Sequence, residues 1–163
     1  NPVHSISLTG GEPLAQKDFL KEFLPLIKQE GHKTYLETNA TLPEGLRDII
    51  DYVDIIALDF KLPSSTGLGR DFWKEHDAFL RIGAGKDIFV KAVICKATDF
   101  ADIKKAVDLI SGFNRNVTFV IQPNSFELDK TLMHKIQEFK KFSLEFLPDV
   151  RVIPQMHKMM GVK

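Results

Sequence analysis

The stretch Ser7-Leu8-Thr9-Gly10-Gly11-Glu12-Pro13-Leu14 decides how the rest of the chain is read. Just upstream, Ile6 and Leu8 alternate with Ser5 and Ser7, the period of a strand. The two glycines widen the allowed φ/ψ range and let backbone groups come close to a ligand. A carboxylate follows at Glu12, Pro13 fixes the exit, and a helical period begins after it. A strand ending in glycines, an acid and a helix start is the usual build of a small-molecule contact at the C-terminal edge of a β/α sheet. On spacing alone, a plain strand-to-helix turn with a solvated Glu12 is an equal reading, because short glycine motifs are weakly specific.

Outward from this stretch, strand and helix periods alternate without a break. Strands are expected over 3–9, 33–39, 53–60, 87–95, 117–124 and 150–155. Between them lie helical patterns. Leu20, Phe23, Leu24 and Ile27 form one stripe, with Pro25 expected to kink it and Gly31 to end it. Leu46, Ile49, Ile50 and Val53 form the next, entered through Pro43. Helices are also expected over 70–82 and 132–146, and around Ile103, Ala106, Val107 and Ile110, with Asp99 as cap and Gly112 as stop. The segment 62–70 reads as a loop. Repeats and linkers are absent, so residues 1–163 read as one α/β domain. Six strands with helical crossovers predict a curved parallel sheet with outer helices, a partial (βα)6-type barrel, since an eight-fold barrel needs about 250 residues.

Composition narrows the class. Lysine and arginine number 22, aspartate and glutamate 22, so no electrostatic footprint for nucleic acid or an anionic membrane exists. No apolar run is long enough to span a bilayer. Cys95 is the single cysteine, which excludes an intrachain disulfide and points to a reducing, cytoplasmic setting. The chain opens without methionine and almost inside a strand, as a fragment of a longer protein would, with a first βα unit missing.

Polar side chains gather at the C-terminal ends of the expected strands: Thr9 and Glu12, Glu37 and Asn39, Asp59 and Lys61, Gln122 and Asn124, and finally Gln155. Lys91 interrupts the fourth strand. Charges in apolar strands need partners or a ligand. A network of these groups among themselves is the structural alternative. Lys61 or Lys91 as a Schiff-base nucleophile is a minor one. The five histidines show no metal-ligand spacing.

With TGGEPL, YLETNAT, IALDFKLPSS, VIQPN and the terminal VIPQMHKMMGVK in this order, the chain resembles the radical S-adenosylmethionine enzymes. Within them it is similar to the 7-carboxy-7-deazaguanine synthases of queuosine-type deazapurine biosynthesis. The resemblance runs over essentially the whole chain and implies a set of roles. Gly10, Gly11, Glu12 and Pro13 would hold the methionyl amino group of S-adenosylmethionine. Thr38, Asn39, Lys61, Ser64 and Ser65 would contact its carboxylate and ribose, and Gln122, Pro123 and Asn124 would lie beside the nucleoside. Gln155, His157 and Lys158 would face a pterin substrate.

The implied reaction uses a reduced [4Fe–4S] cluster, which cleaves S-adenosylmethionine to a 5′-deoxyadenosyl radical. A magnesium-assisted ring contraction of 6-carboxy-5,6,7,8-tetrahydropterin follows, with ammonia expelled. The resemblance also implies an electron donor such as flavodoxin or ferredoxin. The family's cluster cysteines and the magnesium residue beside them precede the glycine motif and are absent from this sequence, so this chain alone is expected to be inactive. Other readings are a glycyl-radical activase, which shares GGEP, and a cluster-less domain that binds S-adenosylmethionine or merely scaffolds. An unpaired edge on the first strand predicts self-association, most simply a homodimer.

Overall fold

The computed structural model describes residues 3–154, so Gln155, His157 and Lys158 lie outside the described residues. Six strands alternate with helices: β1 (Ile6–Leu8), α1 (Lys17–Gln29), β2 (Thr34–Thr38), α2 (Pro43–Ile49), β3 (Ile55–Phe60), α3 (Pro63–Thr66), α4 (Trp73–Ile82), β4 (Asp87–Ile94), α5 (Phe100–Phe113), β5 (Thr118–Pro123), α6 (Lys130–Leu144) and β6 (Val150–Val152). Their order in the sheet is β1-β2-β3-β4-β5-β6, the chain order. Helical crossovers between neighbouring strands force this parallel arrangement, because a tight hairpin joins only antiparallel strands.

The chain divides into two compact units, Asn1–Asp59 with Trp73–Phe89, and Phe60–Phe72 with Val90–Lys163. In the first, β1 pairs with β2 from Ile6↔Thr34 to Leu8↔Leu36, and β2 with β3 from Tyr35↔Ile55 to Thr38↔Leu58. Strand alternation then divides the faces. Leu36, Ile56 and Leu58 are fully buried, with Leu24, Leu46 and Phe79 from the helices. Tyr35, Glu37, Ile55 and Asp59 are half-buried on the other face. In the second unit β5 pairs with β6 from Phe119↔Val150 to Ile121↔Val152, and Phe119, Ile121, Ile103, Ile110 and Ile136 make its core.

Several boundaries differ from the sequence expectation. β1 spans only Ile6–Leu8, because the turn after α1, with Gly31 at φ 78°, lets β2 begin only at Thr34. α1 contains Pro25 and closes at Gln29, just before Gly31. Part of the 62–70 loop is the single-turn α3, closed by Gly67 at φ 64°. Asp99 stands at the α5 cap position, but its side chain makes no capping bond, and α5 runs through Gly112 to Phe113.

At the base of the first unit Asp54 meets Lys28 and Thr34. Lys28 Nζ lies 2.8 Å from each carboxylate oxygen, the Thr34 N–H donates to Oδ2 at 2.7 Å, and the Thr34 hydroxyl, which donates to the Tyr52 carbonyl at 2.6 Å, lies 3.1 Å from the same oxygen. A second constraint is Gly83. A Cβ there would meet Ile88 Cδ1 at 2.8 Å, Ile56 Cδ1 at 3.0 Å and the Phe79 carbonyl oxygen at 3.2 Å. The isoleucine tips can yield and the carbonyl cannot. Gly83→Ala is therefore expected to cost about 1 kcal/mol. A chemical-denaturation midpoint equal to wild type would refute that packing account.

Candidate functional site

The glycine loop is held by its own carboxylate. Glu12 caps the 3-10 turn Pro13–Gln16, its Oε1 accepting from the Leu14 N–H at 3.1 Å. The same oxygen accepts from the Thr38 hydroxyl at 2.8 Å, and Oε2 accepts from the Asn39 N–H at 2.7 Å. Glu12 thereby staples the end of the β1 loop to the end of β2. Thr9 adds a weaker link, its hydroxyl donating to Glu37 Oε2 at 3.3 Å.

The β2 end is equally constrained. Ala40 has φ 55°, a left-handed conformation uncommon outside glycine, and it is fully buried. Two side chains support it. The Thr38 hydroxyl accepts from the Ala40 N–H at 3.2 Å, and Asn39 Oδ1 accepts from the Thr41 N–H at 3.1 Å. An alanine in this conformation costs about 1–2 kcal/mol, which the surrounding bonds offset.

Gly10 and Gly11 have φ 91° and 48°, and a Cβ on either would meet nothing within 4 Å. Both are exposed. Their backbone thus faces open space, and a side chain at either position would fill it. On the face that carries Glu37 and Asn39, Tyr35 packs against Phe89 at 6.0 Å between ring centroids. Burial, and then the neighbouring Glu37 charge, push the Tyr35 phenol up to about 12, so it stays neutral at any physiological pH. A hollow of about 380 Å³ also opens near the loop, lined by Leu14, Ala15, Thr41, Pro43 and Gly45 among others. Gly10, Gly11 and Glu12 are not among its lining residues.

The remaining expected site residues lie in the second unit. Lys61 is half-buried just after β3. Ser64 donates from both N–H and hydroxyl to Asp102 Oδ2, and its Oγ accepts from the Asp99 N–H at 2.8 Å. The Ser65 and Thr98 hydroxyls are 2.7 Å apart, and Thr98 Oγ1 accepts from the Cys95 N–H at 2.9 Å. These serines therefore lock α3 to the loop before α5. Ser64→Ala is expected to cost about 1 kcal/mol, a fall of about 2–4 °C in Tm. An unchanged melting curve would count against the lock.

Gln122 is half-buried near the end of β5. Asn124 uses its amide locally, donating from Nδ2 to Glu127 Oε1 at 3.2 Å and accepting on Oδ1 from the Phe126 N–H at 3.1 Å. Asp102, Thr98 and Glu127 were not singled out from sequence. The Ser64, Ser65 and Lys96 groups that they also meet lie 38, 33 and 31 residues away along the chain, and no local spacing signals those pairs.

The donor set of the first unit fits the methionyl end of S-adenosylmethionine. It offers an open glycine backbone and a carboxylate whose Oε2 accepts one bond among the described residues, from the Asn39 N–H. It does not fit an iron–sulfur cluster or magnesium. Among the described residues no three His, Cys, Asp or Glu side chains come together, and Cys95 is buried with its Sγ 3.8 Å from the Ser65 carbonyl. No helix among them is long and apolar enough to cross a membrane.

Residues 1–121 match the family model of the Radical SAM superfamily. The chain is 38% identical over 162 residues to a 7-carboxy-7-deazaguanine synthase of Geobacter sulfurreducens, covering 98% of this chain and 64% of that protein. It is 31% identical over 170 residues to the synthase of Methanocaldococcus jannaschii, covering 98% of this chain and 68% of the relative. It thus spans somewhat under two thirds of the length of the Geobacter relative. In structure it is similar to a domain of a pyruvate-formate lyase-activating enzyme from Bacteroides vulgatus, with a TM-score of 0.71 at 14% identity over 93% of this chain and 99% of that one. That likeness carries the fold alone. The parallel β/α order, the glycine loop stapled by Glu12 and the match over residues 1–121 agree: the chain belongs to the radical SAM superfamily.

Proposed function

We propose that this chain is the S-adenosylmethionine-binding core of a 7-carboxy-7-deazaguanine synthase, acting on 6-carboxy-5,6,7,8-tetrahydropterin. The observation that carries the reading is the Glu12 carboxylate, held by Leu14, Thr38 and Asn39 beside two open glycines. It is supported by relatives of that name matching 98% of this chain. S-adenosylmethionine, when bound, supplies the carbon-centred radical that starts such reactions.

This chain's residues bind and orient. The Gly10–Gly11 backbone and Glu12 take the ammonium, Pro13 fixes the loop's exit, and Asn39 and Lys61 offer an amide and an ammonium to the carboxylate and ribose. Gln122 and Asn124 lie beside the nucleoside. Ser64 and Ser65 shape their loop, because their hydroxyls already donate or pair within the protein. The substrate side falls to Gln155, His157 and Lys158. The electron donor is a small redox protein such as flavodoxin or ferredoxin.

The test is a chimera in which residues 1–163 replace the matching part of the Geobacter synthase, reconstituted anaerobically with iron, sulfide and magnesium. Formation of 7-carboxy-7-deazaguanine from the pterin is the expected result. A chimera that carries its cluster and cleaves S-adenosylmethionine but leaves the pterin untouched would overturn the substrate assignment. Self-association as a homodimer belongs to the same proposal. β1 stands at the edge of the sheet, and Phe19 and Leu26 of α1 are each 56% exposed. Light scattering that gives a monomer mass across a concentration series would refute it.

A further inference from the structure

Resting on the reading of the glycine loop as an S-adenosylmethionine site, we infer that Thr38 is a positioning residue: it acts on the cofactor through Glu12 and does not touch it. The family resemblance sets Thr38 beside Asn39 among the contacts to the methionyl carboxylate and ribose. The strand places them on opposite faces. Thr34, Leu36 and Thr38 are buried on one side of β2, whereas Tyr35 and Glu37, followed by Asn39, are half-buried on the other. Thr38 is only 2% exposed.

Its hydroxyl is also committed. The single O–H donates to Glu12 Oε1 at 2.8 Å, and the oxygen accepts from the Ala40 N–H at 3.2 Å. A ligand carboxylate would need that proton, and Glu12 already has it. The consequence for Glu12 is an asymmetry. Among the described residues Oε1 takes two donors, the Leu14 N–H and the Thr38 hydroxyl, while Oε2 takes one, the Asn39 N–H. Filling Oε1 from the buried side fixes the carboxylate plane and leaves Oε2 as the oxygen with room for an ammonium. Thr38 also ties this orientation to the left-handed turn at Ala40, through one hydroxyl that serves both.

The experiment is a calorimetric titration of the chain with two probes, S-adenosylmethionine and its decarboxylated analogue, which keeps the sulfonium and the ammonium but has no carboxylate. Thr38→Val, which keeps the shape and loses the hydroxyl, is expected to weaken both probes equally, by about 10-fold, the scale of one charge-assisted hydrogen bond. Thr38→Ser, which restores the hydroxyl, should bind both as wild type does. In a Glu12→Gln background, Thr38→Val should cost nothing further, because the group it orients has gone.

A Thr38→Val loss confined to the carboxylate-bearing probe, or one that persists in full in the Glu12→Gln background, would mean direct contact with the carboxylate or the ribose and overturn the inference while leaving the site reading intact. Wild-type affinity for both probes in Thr38→Val would overturn it too. Failure of the wild-type chain to bind either probe would bring down the site reading itself, and this inference with it. Circular dichroism of each variant separates these outcomes from unfolding, and Thr38→Ser decides the question should Thr38→Val not fold.

Discussion

Replacing Glu12 by alanine is expected to lower the unfolding free energy by about 3 kcal/mol, because three donors lose a charged acceptor together. The Leu14 N–H, the Thr38 hydroxyl and the Asn39 N–H all end on this carboxylate. Thr38 is buried and Asn39 half-buried, so water reaches the orphaned groups poorly. For a chain of this size the loss corresponds to a fall of about 6–12 °C in Tm. Glu12→Gln should recover little, since its amide turns an acceptor into a donor that faces either the Asn39 N–H or the Leu14–Thr38 pair. Glu12→Ala should also remove most of the affinity for S-adenosylmethionine. Stability that falls while affinity persists would leave Glu12 as a structural staple only. Affinity that falls at unchanged stability would mean that the three bonds carry no net energy.

Asp54→Ala is the second large effect, about 2 kcal/mol, most of it from the Thr34 N–H that loses its charged acceptor. The Lys28 pair adds less, since both side chains are 32% exposed and solvent screens them. The acid dependence is the sharper readout. Burial pushes the Asp54 carboxyl up, but the Lys28 ammonium and the Thr34 N–H and hydroxyl outweigh it and leave it below the usual range. A carboxyl depressed in the folded state contributes stability that is full above its unfolded value of about 3.9 and is lost as pH falls through the folded one. The gap between wild type and Asp54→Asn should therefore be full from neutrality down to about pH 4 and narrow progressively below it. Urea midpoints at pH 7 and pH 3 measure it; a gap that stays constant would mean that Asp54 is not the titrating group.

The alternation of elements was legible because strand and helix periods differ. The apolar run ending at Phe60 became β3, and the stripe around Ile103 and Ile110 became α5. The glycine loop was legible as a place where the backbone must do something unusual, and Gly10 and Gly11 do hold positive φ. What escaped the sequence was which hydroxyls are already in use. Thr38 and Asn39 look alike as polar neighbours, yet one lies on the buried face of β2 and the other does not. Ser64 reads as an exposed loop serine until its bonds to Asp102 and the Asp99 N–H are seen. Asp54 and its two partners are separated by 26 and 20 residues, and only the fold brings them together. Local patterns carry the elements and long-range pairing carries the polar groups.

The second unit also carries its own clock. Cys95 is the only thiol in the chain, 6% exposed, with its sulfur 3.5 Å from Thr98 Oγ1 in the lock between α3 and α5. At that exposure an alkylating reagent is expected to reach it when the structure around it opens. Its labelling rate is then the rate for a free thiol scaled by the fraction of molecules open at any instant. Ser64→Ala should quicken that rate, while Gly83→Ala, whose effects arise among Ile56, Phe79 and Ile88, should leave it nearly as it was. A single unmodified side chain thus lets the opening of one half of the chain be timed separately from the other, with no label introduced.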